Sequence, residues 1–322
     1  MLIEHQHPDN KSIMVAILGA PNVGKSSLVN YLLGMDLSIV TSKPQTTRNK
    51  YHCVFTVDHT EVVLVDTPGL HKSSQELNKR INQQAREGMD GADLNLLLID
   101  LTKDVLEQFR DFKENIQRDL GPTIAVFTKS DRVENARELP LTMVFESAKN
   151  IIPSLVDFFM ISTKSGDNVH LLIGDICDRA LPGPHFYNGE ISNKPERFFA
   201  TEYIREQAFE LLKDELPYEL AVVIDEYKDL KDQEKKQRTA AHISASILVN
   251  RPSQRAIVVG SKGTMIKEIG TRARKKIEAM SDCKVHLNLH VKVSPKWFKN
   301  NFVLEELGLP RSHDSARVWK KK

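Results

Sequence analysis

The chain has 322 residues and a mass of 36.5 kDa, which favours two domains of ordinary size. Its 40% hydrophobic and 27% charged residues exclude wholesale disorder and collagen-like repetition. The formal net charge of +2 hides an asymmetry: residues 1–180 hold 19 basic and 24 acidic side chains, residues 181–322 hold 26 and 19. Within 251–299, twelve basic residues face only Glu268, Glu278 and Asp282, so the second half is suited to a polyanion, with nucleic acid one candidate and a solvated helix face the other. Cys53, Cys177 and Cys283 are odd in number and form no CxxC pair, which argues against a disulfide framework or structural zinc and fits a reducing compartment. The apolar runs are too short to span a bilayer, and MLIEHQHPDNKS lacks the apolar stretch of a signal peptide. A cytoplasmic protein is expected.

In chain order, strands are expected at 12–18, 51–57, 61–66, 93–100, 123–128 and 157–162, with helices at 25–33, 76–90, 104–120 and 167–180. Strands alternating with helices predict an α/β fold, a doubly wound and mostly parallel sheet covered on both faces. Ligands of such sheets sit beyond the strand C-termini. The Pro- and Gly-rich stretch 181–196 reads as an interdomain linker. A smaller α+β domain follows: a helix over 197–213, a strand over 219–230, a charged hairpin-like connection at 231–239 and a strand over 242–249. A helix from Pro252 to Val259, a break at Gly260–Gly263, a helix over 264–280 and a strand over 284–293 complete it. No internal repeat is found.

GAPNVGKS (19–26) matches G-x-x-x-x-G-K-[ST] between a strand and a helix. Gly19, Ala20, Pro21, Asn22, Val23, Gly24, Lys25, Ser26 and Ser27 are therefore candidate polyphosphate contacts. Gly19 and Gly24 free backbone N–H groups, Lys25 reaches the β- and γ-phosphates, and Ser26 binds Mg²⁺. The DTPG of 66–69 closes an apolar strand, placing Asp66 to hold Mg²⁺ through water and Gly69 to approach the γ-phosphate, with Thr67, Pro68 and Leu70 alongside. TKSD (128–131) follows a further strand. Asp131 can accept from guanine N1–H and N2, which adenine does not offer, while the Lys129 stem can lie over the base. Thr128, Ser130 and the later Ser162, Thr163 and Lys164 complete the base-site candidates.

GAPNVGKSS, SKPQTTRNK (42–50) and DTPGLHK (66–72) together resemble the Era family of ribosome-assembly GTPases. The resemblance makes 42–50 the first switch, with Thr47 approaching Mg²⁺ and the γ-phosphate and Thr46 the alternative. Pro44 stiffens the loop before Gln45. Thr128 stands where the family has Asn, and Thr can make only part of that residue's bonds. Leu70 stands where a water-orienting glutamine would be; His71 beside it is either structural or catalytic. By resemblance Asn22 either holds a K⁺ ion near the transferred phosphate or only shapes its loop. The catalytic candidates are accordingly Lys25, Thr47, Gly69 and Asn22, the metal ligands Ser26, Thr47 and Asp66.

AIVVGSKGTMIKEIGTRARKKIE (256–278) places GSKG between two apolar helical stretches. The order helix, strand, strand, helix, GxxG, helix, strand resembles a type II KH domain, whose GxxG loop clamps nucleotides by its backbone. Gly260, Ser261, Lys262, Gly263, Lys267, Arg272 and Lys275 are the RNA-binding candidates, whereas Val258, Val259, Ile266 and Ile269 suit core and groove floor. The expected boundaries are 11–181 for the GTPase, 182–196 for the linker, 197–309 for the KH domain and 310–322 for a basic tail. The resemblance implies binding of GTP and GDP with Mg²⁺, GTP hydrolysis, and a KH domain on the 3′ end of small-subunit rRNA during 30S assembly. Two rivals stand beside it: an RNA-binding scaffold that holds nucleotide with little or no hydrolysis, and a regulator in peripheral contact with the inner face of the cell membrane.

Overall fold

The computed structural model of the chain describes residues 6–41, 43, 47–69, 76–116, 118–187, 189–213, 216–231 and 238–311. They divide into two compact units. The first holds the described residues within 1–38, 47–74 and 81–193; the second holds those within 39–46, 75–80 and 194–322.

The first unit is built on β1 (Lys11–Gly19), β2 (Tyr51–Val57), β3 (Thr60–Asp66), β4 (Leu94–Asp100), β5 (Thr123–Thr128) and β6 (Leu155–Met160), ordered β2-β3-β1-β4-β5-β6. All neighbours on this path are parallel except β2 and β3, joined by the tight turn at Asp58. β3, β4 and β5 are buried along their whole length. This explains their unbroken apolar runs: a parallel strand covered on both faces has no solvent side to alternate with. Helices α1 (Lys25–Leu33), α2 (Glu76–Glu87, in this unit from Ile81 on), α3 (Val105–Ile116), α4 (Leu141–Lys149) and α5 (Val169–Arg179) form the crossovers and connections. Phe109, Phe112, Phe127 and Phe145 join α3, α4 and β5 in one core, with the Phe109 and Phe127 rings edge-on at 6.4 Å.

Several expectations are corrected. The helix expected over 104–120 ends at Ile116, ahead of Gly121-Pro122. The strand expected at 157–162 pairs with β5 from Leu155 to Met160; Ser162 has already turned away, its N–H donating to Asp167 O. Helix α4 was not anticipated. Within the 181–196 stretch expected as an interdomain linker, β7 (Leu181–Pro182) pairs antiparallel with β1, Ser192 bridges Cys53, and the N–H groups of Phe186 and Tyr187 donate to the buried Glu61 carboxylate.

The second unit contains α6 (Glu196–Leu211), β8 (Ala221–Lys231), β9 (Arg238–Val249), α7 (Pro252–Val259), α8 (Thr264–Ser281), β10 (Lys284–Val293) and α9 (Asn301–Glu306). The sheet order is β10-β9-β8, with β9 antiparallel to β8 and parallel to β10. α6 buries Phe199, Tyr203, Ile204 and Ala208, α8 buries Ile269, Ala273 and Ile277, and the two helices cover the sheet. Trp297 is fully buried, its indole N–H donating to Glu219 O at 2.8 Å. The strand expected from 242 begins at Arg238; residues 232–237 of the charged connection lie outside the described residues.

Candidate nucleotide and RNA sites

The loop between β1 and α1 takes a path that only particular residues permit. Gly19 ends β1 at φ 137°, where a Cβ would stand 2.6 Å from Leu98 O. Asn22 is left-handed at φ 61°, and Gly24 caps α1 at φ 106°. Ala20, Pro21 and Val23 fill the loop, and Ser27 follows in the first helical turn. Lys25 and Ser26 are buried at the head of the helix, where backbone N–H groups and the helix dipole favour an anion. Lys25 Nζ donates back to Gly19 O at 3.1 Å and Ala20 O at 2.8 Å. Burial depresses its ammonium to about 8, with nearby Asp66 offsetting part of that drop.

Three oxygen donors assemble beside it. Ser26 Oγ lies 3.3 Å from Thr47 Oγ1, and Asp66 ends β3 fully buried, accepting from Ser38 Oγ at 3.2 Å. Two hydroxyls and a carboxylate are hard ligands, and they fit Mg²⁺. Thr67 Oγ1 donates to Ile17 O at 2.5 Å, tying the DTPG turn to β1. Pro68 leads to Gly69, whose Cβ would stand 2.8 Å from Pro21 N, so this turn lies against the P-loop backbone. Leu70, His71, Pro44, Gln45 and Thr46 lie outside the described residues.

The base-site candidates gather beyond the ends of β5 and β6. Thr128 Oγ1 donates to Val23 O at 2.7 Å and lies 3.2 Å from Ile99 O, so it braces the P-loop although it is not the Asn of the family pattern. Lys129 is left-handed at φ 63°, and its Nζ donates to Asn22 O at 2.8 Å. Ser130 N–H is held by Ile161 O. Ser162 Oγ donates to Asp131 Oδ1 at 2.7 Å and accepts from the N–H groups of Lys164 and Ser165, each at 3.2 Å, which fixes the carboxylate and curls the 162–166 loop toward it. Thr163 lies within that loop. The sequence marks Ser162 as a base-site candidate but does not show that its hydroxyl holds Asp131. Sequence reasoning missed Ser38 and Asp100, which touch site residues from 28 and 29 positions away.

In the second unit, Gly260 sits at φ 74° where a Cβ would meet Met265 Cβ at 2.7 Å. Lys262 and Gly263 follow at φ 50° and 79°, and Ser261 and Lys262 are exposed at the tip. A groove of about 510 Å³ runs between α8 and the outer strand β10. Lys267 and Arg274 line its helical side; His286, Asn288 and His290 line the strand. Gly270 lets α8 approach closely, since a Cβ there would lie 3.3 Å from Leu289 Cδ1. Of the expected RNA contacts, Lys267 reaches this groove. Arg272 pairs instead with Glu268 at 2.7 Å, and Lys275 is exposed outside the lining. The strand-side histidines and Asn288 went unselected because an alternating strand carries no mark of which side faces a groove.

A family model described as 50S ribosome-binding GTPase matches residues 14–129, and one described as KH domain matches residues 215–298. The GTPase Era of Geobacter sp. (strain M21) is 37% identical over 302 residues, covering 92% of this chain and 97% of its own. The chain belongs to the Era GTPase family. A crystal structure of Era in complex with MgGDPNP and nucleotides 1506–1542 of 16S ribosomal RNA matches with a TM-score of 0.83 at 31% identity, covering 94% of this chain and 100% of that one. A variant of Aquifex aeolicus Era bound to GDP and AlF4⁻ matches at 0.82 and 32%, with the same coverage. The expected fold class, a P-loop GTPase followed by a smaller KH domain, agrees with both Era structures. Among the described residues no helix is long and apolar enough to cross a membrane.

Proposed function

We propose that this chain is a GTP-hydrolysing switch that binds the 3′ end of small-subunit ribosomal RNA through its KH domain and acts in 30S assembly. The observation that carries the reading is the convergence of Lys25, Ser26, Thr47 and Asp66 at the head of α1. In this reading the phosphates replace the Gly19 and Ala20 carbonyls at Lys25 Nζ, which regains a charged partner. Ser26, Thr47 and Asp66 hold Mg²⁺. The ion, when bound, neutralises charge on the β- and γ-phosphate oxygens. Asp131, held by Ser162, reads the guanine edge, Lys129 covers the base, and the Gly69 N–H approaches the γ-phosphate. RNA occupies the groove between α8 and β10 and the GSKG tip, with Gly260 and Gly263 allowing close backbone approach.

By the family resemblance, the Asn22 side chain would give an oxygen ligand to a K⁺ ion near the transferred phosphate. Single-turnover hydrolysis of GTP and ATP, in K⁺ and in Na⁺ at matched ionic strength, tests the whole assignment. Hydrolysis of GTP in preference to ATP is expected, faster in K⁺. Tight GTP binding with no turnover would make the chain a nucleotide-binding RNA scaffold. The cytoplasm is the compartment for this work. Peripheral contact with the inner membrane face would draw only on the positive second half of the chain, and co-sedimentation with anionic vesicles tests it.

A further inference from the structure

Asp100 ends β4 and is almost wholly buried, yet it has no part in the phosphate, metal or base contacts assigned above. Its two carboxylate oxygens are divided between two tasks. Oδ1 accepts from the Thr102 hydroxyl at 2.7 Å and the Thr102 N–H at 3.0 Å. Oδ2 pairs with Lys129 Nζ at 2.6 Å. The backbone at Asp100 is pinned as well, its N–H donating to Gln108 Oε1 and its carbonyl accepting from Gln108 Nε2, both at 2.9 Å. The carboxylate therefore has one place to be.

Lys129 is the group that profits from this rigidity. Its ammonium stands between Asp100 Oδ2 and Asn22 O, at 2.6 Å and 2.8 Å. A lysine side chain is long and has many rotamers, so in water it would seldom hold one geometry. Here the fixed anion holds its tip, and the tip in turn holds the carbonyl of a left-handed P-loop residue. Thr128 holds the next carbonyl, Val23 O, from the same loop. Successive P-loop carbonyls are thus tied to successive residues of TKSD, and one of the two ties is backed by a buried charge. Burial works to raise the Asp100 carboxyl, but the bonds from Lys129 and Thr102 outweigh it and hold it below its ordinary value, so it stays anionic across neutral pH.

We infer that Asp100 is a positioning residue of the guanine nucleotide site, anchoring Lys129 so that its stem covers the base while its ammonium clamps the P-loop at Asn22. The inference rests on the reading of TKSD as the base site. Asp100 holds the Lys129 ammonium, which grips the Asn22 backbone carbonyl and not the side chain assigned to K⁺, so it acts on the base end of the nucleotide and not on the transferred phosphate. Its loss is therefore felt equally by GDP and GTP and leaves the chemical step at saturation alone.

The test compares the full-length wild-type chain, Asp100→Asn, Lys129→Met and the double variant. Release of a fluorescent GDP is followed by stopped flow, single-turnover hydrolysis is measured at saturating GTP, and thermal melting without nucleotide reports the fold. A hydrogen bond to a buried charge is worth enough that Asp100→Asn should speed release by about tenfold or more. Hydrolysis at saturation should stay within about twofold, and Asp100→Asn should add almost nothing in the Lys129→Met background. Additive losses, or a fall in hydrolysis matching the loss of affinity, would mean that Asp100 only supports the fold. If Asp100→Asn melts below the assay temperature, Thr102→Val serves instead: it keeps the carboxylate but removes the hydroxyl clamp, and unchanged release from it overturns the proposal. Wild-type protein that binds no guanine nucleotide would sink the base-site reading itself, an outcome separate from all of these.

Discussion

Nucleotide binding above neutral pH is expected to take up a proton at Lys25. Without nucleotide the ammonium is buried and its pKa is depressed from 10.5 to about 8. A polyphosphate in the loop supplies the partner that burial demands and returns the group to at least its ordinary value. Uptake on binding should then be about one-tenth of a proton at pH 7, about one-half at pH 8 and about nine-tenths at pH 9. Affinity should weaken by up to about tenfold per pH unit above 8, because an increasing share of the free protein must first be protonated. The same shift has a sign for folding. Between pH 8 and 10.5 the unfolded chain keeps a proton that the folded chain has lost, so nucleotide-free stability should rise with pH through that window. It is relieved there of a penalty of about 3 kcal/mol that is present in full below pH 8. Calorimetric titration with GDP at pH 8 to 9, in two buffers of different ionisation enthalpy, reads the uptake as a difference in heat. Lys25→Arg keeps a positive group that does not titrate and should remove that difference. Equal heats for the wild-type chain in both buffers would refute the argument.

Three further outcomes are expected. Asp131→Asn removes the acceptor for guanine N1–H and N2 and should lower GTP affinity more than tenfold while improving xanthosine triphosphate binding, as a competition assay would read. Replacing Ser261 and Lys262 with Asp should weaken single-stranded RNA binding and flatten its salt dependence. The wild-type slope of log K against log salt should be about −2 to −3 for three or four phosphate contacts, and GTP affinity should not change. Gly19→Ala forces a Cβ against Leu98 O in a backbone conformation that L residues rarely adopt. It should cost about 1–3 kcal/mol in chemical denaturation and abolish tight phosphate binding.

What could be read from the sequence was what is local. GAPNVGKS and GSKG carry their function in backbone freedom at fixed spacings, and each sits between elements whose apolar patterns are strong. Asp66 was legible because it closes an apolar strand, and Asp131 because TKSD directly follows one. Asp100 closes a strand in the same way, yet nothing in LNLLLID marks its aspartate as more than a boundary; its meaning depends on Lys129, 29 residues on, across the β4–β5 pair. Helix α4 was missed because its apolar residues, Leu141, Val144, Phe145 and Ala148, lie in a short stretch beside the more obvious Phe158-Phe159 strand. The 181–196 stretch reads as a linker on composition alone. Prolines and glycines describe how such a chain bends, not what it lies against.

The docking of that stretch bears on how the GTPase unit can be studied alone. β2 is the outermost strand of its sheet, and an outermost strand offers unpaired N–H and C=O groups to any passing chain. Here Ile191 O accepts from Val54 N–H, Ser192 bridges Cys53 and its hydroxyl donates to His52 O, and Asn193 Oδ1 accepts from His52 N–H. The chain leaving the first unit thus serves as a selvage along its exposed border. A GTPase fragment cut at residue 181 would bare that border and invite strand-to-strand association between copies; one cut after residue 193 would keep it hemmed.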